Sequence, residues 1–234
     1  MLRLTADGTR DSLRAMCGRY TFTSPEEAAR RLFGYASPPL NLRPNYNVAP
    51  THEVPIVRNA AAGGRVHVQV RWGLIPFWAK DTKIGYKCIN ARVETVATSP
   101  AFREAFKRRR CLVLADGFFE WKKLDAKTKQ PYRMTMKSGE PFGFAGLWET
   151  WDKGEAPITT CTIITGEPNE LVATIHDRMP VILPPEQYEP WLSGKAGTEI
   201  LKPFPVDQMR AYPVSARVGS PKNNDAAIIE PIKL

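Results

Sequence analysis

Several things are missing from this chain of 234 residues, and each absence narrows its role. No run is apolar for long enough to span a bilayer, so a membrane partner is not expected. The first fifteen residues, MLRLTADGTRDSLRA, include Arg3, Asp7, Arg10, Asp11 and Arg14. They leave no apolar stretch for a secretory signal, and a cytoplasmic location is the expectation. Cysteine is scarce. Its four copies, at 17, 88, 111 and 161, form no C-x-x-C pair and have no metal-ligand spacing, and the three histidines form no H-E-x-x-H. No metal or other cofactor is expected, nor a disulfide in a reducing compartment. Cys88, Cys111 and Cys161 sit among apolar neighbours and read as core residues. Linkers, low-complexity tracts and internal repeats are lacking too, which points to one domain.

Acidic residues are in deficit. Twenty-four Asp and Glu face thirty-three Lys and Arg, a net charge of +9. This excess favours an anionic partner, nucleic acid first, and a merely basic soluble surface accounts for it equally well. The 43% hydrophobic share suffices for a sizeable core.

Ser24-Pro25-Glu26-Glu27 reads as a capping box opening a helix that reaches Phe33. Ser99-Pro100 opens a second helix, with Phe102 and Phe106 on one face. Residues 54–57 and 65–72 alternate as strands around a Gly63-Gly64 turn. Further strands are expected at 111–114, 118–121, 132–137, 142–148 and 159–165, and short helices near 168–174, 185–192 and 196–202. This order lacks a regular βαβ rhythm. It predicts a single α+β domain, a curled and mostly antiparallel β pseudo-barrel with flanking short helices.

Four motifs and one basic run concentrate chemistry. R-W-G-L-I-P-F-W-A-K at 71–80 sets Trp72, Phe77 and Trp78 among cations, as single-strand binding requires; each aromatic alone is explained as well by core packing. Trp78 is the best candidate for an exposed stacking ring. The run Lys107-Arg108-Arg109-Arg110 either contacts phosphate or complements a helix C-terminus. I-N-A-R-V-E-T at 89–95 puts Asn90, Arg92 and Glu94 on one face of an extended chain. D-G-F-F-E-W at 116–121 sets Glu120 between two aromatics; it is either a solvent-facing strand residue or enclosed, where its pKa would rise and suit it to proton transfer. I-H-D-R-M-P at 175–180 gathers His176, Asp177 and Arg178 in one turn.

Together with M-C-G-R-Y at 16–20, Y-N-V-A-P at 46–50 and P-V-S-x-x-V-G at 213–219, these segments resemble the SRAP family. Its members are the SOS-response-associated peptidases, or abasic-site processing proteins. The resemblance spans almost everything from Met16 onward, with seven motifs in order. It implies a cleft for single-stranded DNA, covalent capture of abasic sites during the DNA damage response, a monomer, and a nucleoid association if the cell is bacterial. Carried over by motif, Cys17 is the crosslinking residue, with Asn90, Glu120 and His176 completing the pocket. Arg19, Trp78, Arg92, Thr165 and Arg178 fall on DNA-contacting positions. Residues 1–16 are then an N-terminal extension and 17–234 the SRAP domain. Met16 is expected to be the working start, trimmed to expose Cys17; self-removal of a leader is the second route.

The chemistry of a terminal cysteine supports this. Its α-amine, with a pKa of about 7.7–8.0, condenses with the aldehyde of an open abasic sugar. The thiol on the same residue then closes a thiazolidine at high effective molarity. An interior Cys17 has only a delocalised amide nitrogen. A Schiff base left unclosed would β-eliminate, so weak lyase activity is expected. Two rivals remain: a cysteine peptidase using Cys17 and His176, and a non-catalytic single-strand binding module.

Overall fold

A computed structural model describes residues 17–39 and 41–234; the expected extension, residues 1–16, lies outside the described residues. The strands are β1 (Tyr20–Phe22), β2 (Asn45–Val48), β3 (Glu53–Asn59), β4 (Arg65–Trp72), β5 (Asn90–Arg92), β6 (Arg110–Ala115), β7 (Gly117–Lys123), β8 (Lys129–Met136), β9 (Phe142–Trp151), β10 (Ile158–Gly166), β11 (Met179–Pro180), β12 (Ile182–Leu183) and β13 (Met209–Pro213). The helices are short: α1 (Glu26–Phe33), α2 (Arg103–Arg108), α3 (Glu170–Ala173) and α4 (Tyr188–Leu192).

The alternating residues of β3 and β4 pair antiparallel, Val54 opposite Val70 and Ile56 opposite Val68. Gly63 and Gly64 supply the positive φ that the turn between them needs. The order β4-β3-β6-β9-β10 closes into a ring, because β10 pairs antiparallel with β9 and parallel with β4. Closure removes the sheet edges that would invite aggregation. Gly146 on β9 sits at a close crossing, where a Cβ would come within 2.8–3.0 Å of Val113, Cys111 and the Thr162 carbonyl. A second, antiparallel sheet runs β13-β8-β7-β1-β2. Only Asp116 separates β6 in the ring from β7 in this sheet.

The sheets share one core. Tyr20 on β1 meets Trp72 of β4 and Phe144 of β9 edge-on, with centroids 5.4 and 5.8 Å apart. Burying each such ring stabilises the fold by about 1.5–3 kcal/mol. Cys88, Cys111 and Cys161 are buried as expected. The α+β class and the mostly antiparallel, curled sheet are as read from sequence, with β10–β4 and β10–β5 the parallel exceptions.

One local expectation is corrected. The capping box does not form: Pro25 is the N-cap of α1, with no side-chain cap bond. The Ser24 hydroxyl instead donates to the Asp116 carboxylate at 3.0 Å, an acceptor that Thr21 and Thr23 bond as well. Among the described residues no helix is long and apolar enough to cross a membrane, and no cluster of three or more His, Cys, Asp or Glu is placed to hold a metal ion.

Candidate active site around Cys17

Antiparallel pairing of β1 with β7 sets Tyr20 opposite Phe118, and the Phe119 N–H bonds the Arg19 carbonyl at 3.0 Å. The chain before β1 therefore runs back along β7 to Glu120. There the Cys17 N–H donates to Glu120 Oε1 at 3.0 Å, between residues 103 apart in sequence. From β5, the Asn90 amide donates to the Cys17 carbonyl at 3.4 Å. From the turn after α3, His176 Nε2 lies 3.9 Å from Glu120 Oε2. Four separate segments thus meet around Cys17 and Glu120.

Glu120 is only 1% exposed. Burial pushes its pKa up to about 8, against the opposing pull of hydrogen bonds from the Cys17 N–H and thiol. Burial likewise lifts the Cys17 thiol well above its ordinary range, and the Glu120 charge adds to the effect. His176 Nδ1 lies 3.1 Å from the Arg178 N–H and 3.3 Å from the Arg178 carbonyl, and Nε2 faces Glu120. Asp177 Oδ1, 3.2 Å from Nδ1, supplies a partner when the ring is protonated.

Of the two alternatives for Glu120 the structure takes the enclosed one, but not by the route the flanking aromatics suggest. The flanking rings of Phe119 and Trp121 point to the opposite face, into a satellite cluster with Val214, Val218 and Ile228. What encloses the carboxyl is Cys17 and the segments around it. The shared face of Asn90, Arg92 and Glu94 is also only partly formed. β5 ends at Arg92, whose carbonyl accepts the Thr95 and Val96 N–H groups, so Glu94 sits in a turn.

The expected DNA contacts divide. Trp78 is 43% exposed and beside exposed Phe77, with its Nε1 bonded to the Pro100 carbonyl at 3.1 Å. Trp72, by contrast, is a core residue, its Nε1 bonded to the Ile89 carbonyl at 2.8 Å. Arg92 is exposed on β5. Arg19 is half-buried and donates to Asn47 Oδ1 at 3.0 Å and to the carbonyls of Val218 and Gly219 at 2.8 and 3.0 Å. It ties the C-terminal turn to the site. Thr165 is fully buried, and its carbonyl accepts from Arg178 at 2.8 Å. Arg178 also forms a two-pronged pair with Glu94, a partner the sequence reading named without assigning a role.

The basic run splits too. Lys107 and Arg108 are exposed, Arg109 pairs with Glu149 at 2.6 Å, and Arg110 lies buried over the rings of Phe106 and Trp191 at 4.4 and 4.5 Å. Tyr86, 60% exposed among Lys83 and Lys87, was missed; its lysine flanks were the available signal.

Known proteins share this chain's pattern. The model of the family described as SOS response associated peptidase (SRAP) matches residues 16–221. The chain is similar to abasic site processing protein YoqW of Bacillus subtilis (strain 168), 47% identical over 223 residues, 92% of this chain and 99% of YoqW. It is similar also to abasic site processing protein YoaM of the same strain, 46% identical over 223 residues, 92% and 98% of the two chains. A solved structure of a protein from Bacteroides thetaiotaomicron superposes with a TM-score of 0.81 at 30% identity, covering 93% of this chain and 100% of that one. Match, motifs and converging side chains agree, and the chain belongs to the SOS response associated peptidase (SRAP) family.

Proposed function

We propose that this protein binds single-stranded DNA and captures abasic sites in a covalent thiazolidine through Cys17, once the residues before it are removed. The observation that carries this reading is the hydrogen bond, 3.0 Å long, from the Cys17 nitrogen to the buried carboxyl of Glu120. The similar proteins named for abasic site processing support the substrate class.

With Cys17 terminal, the nitrogen 3.0 Å from Glu120 is an amine. His176 assists opening of the sugar by proton transfer at its ring oxygen. The amine attacks the aldehyde carbon, and Glu120 takes the nitrogen's proton and returns it to the departing hydroxyl. An imine and one water result. Sulfur then adds to the imine carbon, the C=N pair becomes an N–H bond, and the thiol proton reaches that nitrogen through Glu120. Asn90 orients Cys17 throughout. Exposed Trp78, Phe77 and Tyr86 stack unpaired bases while Arg92 and the lysines meet phosphates. Held this way, the lesion is shielded during a DNA damage response.

A peptidase acting on other proteins fits less well. Its thiol would need a depressed pKa and a histidine partner, whereas the Cys17 thiol is raised and bonded to a carboxyl. Self-processing has its own support: Cys17 carries a φ of 37°, a strain of about 1–2 kcal/mol for a side-chain-bearing residue. Breaking the preceding bond relieves it.

Intact-mass measurement tests the reading. Protein beginning at Cys17, mixed with an abasic single strand, gains the mass of the strand less one water. Cys17→Ala, presenting a terminal amine, loses the heat-stable adduct yet still nicks the strand. An undiminished adduct in that variant would sink the thiazolidine assignment.

A further inference from the structure

Arg178 sits at the rim of the pocket, two residues from His176, and already holds an anion. Both prongs of its guanidinium meet the Glu94 carboxylate, Nη2 at 2.9 Å from Oε2 and Nη1 beside Oε1. Nη2 also donates to the Thr165 carbonyl at 2.8 Å. The pair is lopsided in exposure: the Arg178 side chain is 13% exposed and that of Glu94 is 50%. The arginine is anchored from below by β10, while the carboxylate caps it from the solvent side on a turn. Arg178 holds the Glu94 carboxyl below its ordinary value, so the cap is a full negative charge near neutrality.

From this we infer that Glu94 is a placeholder for a DNA phosphate on Arg178, and so a specificity-determining residue. The inference rests on the reading of the site as a single-strand binder. Carboxylate and phosphate present the same two-oxygen edge to a guanidinium. A strand entering the pocket must therefore displace Glu94 and trade one bidentate pair for another. That exchange yields little net energy, and Glu94 repels the phosphate as it approaches. Binding to any undamaged strand is held down, while an abasic site gains its hold from the bond to Cys17. Arg178, braced by Thr165, remains aimed at the rim in both states.

The test is a titration of a fluorescent, undamaged single strand at several salt concentrations, with wild type, Glu94→Gln, Arg178→Gln and the double variant. Glu94→Gln is expected to bind about two- to tenfold more tightly, the range of one exposed to partly desolvated charge pair. Its plot of log affinity against log salt should steepen by about 0.7, the release from one further phosphate. In the Arg178→Gln background the same substitution should change neither quantity. Unchanged or weaker binding by Glu94→Gln overturns the placeholder, as does a gain that persists without Arg178, which would mark simple removal of surface charge. Adduct formation on an abasic strand is read in parallel. Its absence from wild type overturns the parent reading, whereas normal adduct formation with an unresponsive Glu94→Gln titration overturns the placeholder alone.

Discussion

Asp116 and Glu120 are buried carboxylates four residues apart, where the chain leaves the β6 edge of the ring for β7. Asp116 is saturated. It accepts from the Thr21 hydroxyl, from the N–H and hydroxyl groups of both Thr23 and Ser24, and lies 3.4 Å from Arg133. Glu120 has the Cys17 N–H and thiol, with His176 3.9 Å away. The first is held by donors on both of its oxygens, so it locks β1, the start of α1 and β8 together. The second, while Cys17 is in amide linkage, keeps its proton up to about pH 8, and its few fixed donors leave it free to exchange protons. Burial alone does not make a reagent. The count of fixed donors does.

Substituting each acid in turn tests this contrast. Asp116→Ala strands the buried Arg133 and several N–H and hydroxyl donors, and should cost about 3–5 kcal/mol in urea unfolding. If adduct formation falls while the unfolding midpoint holds, the division of labour is wrong. Glu120→Gln should fold normally and form the adduct about 10²–10⁴-fold more slowly, read by quenched gel or mass time courses.

The third prediction concerns pH. With Cys17 in amide linkage, folded Glu120 titrates near 8 and the unfolded group near its ordinary 4.5. Between those values the folded state binds more protons, so stability falls as pH rises. Glu120→Gln removes that slope, and its thermal midpoint should gain on wild type from about pH 5 to about pH 8. Starting the chain at Cys17 places an ammonium against Oε1, keeps the carboxylate ionised and flattens the wild-type slope. The smallest effect is expected at an exposed ring that contacts neither acid: Trp78→Ala should weaken single-strand binding by about 1–3 kcal/mol and leave the unfolding midpoint in place.

Much of this was legible before any coordinates. Alternation marked β3 and β4, glycines marked their turn, and apolar neighbours marked Cys88, Cys111 and Cys161 as core. The motifs holding Cys17, Asn90, Glu120 and His176 were each visible as polar residues in apolar flanks. Illegible were the facts that turn on partners from elsewhere. Ser24 looked like a cap until Asp116 drew its hydroxyl, 92 residues away in sequence. Arg178 reads as a phosphate contact, and nothing in its own segment shows that Glu94, 84 residues earlier, pairs with it. Trp72 and Trp78 share one motif, yet one packs the core and the other meets solvent.

The sequence by itself determined the strands, the turns and the inventory of reactive groups, because periodicity, φ preference and intrinsic pKa act within a few residues. Only the tertiary structure decided which acid is saturated and which is poised. That choice depends on donors 92 to 103 residues away being carried to one of two neighbouring carboxylates by the pairing of β1 with β7. A carboxyl's proton affinity follows from what surrounds it, and what surrounds it is set by the fold.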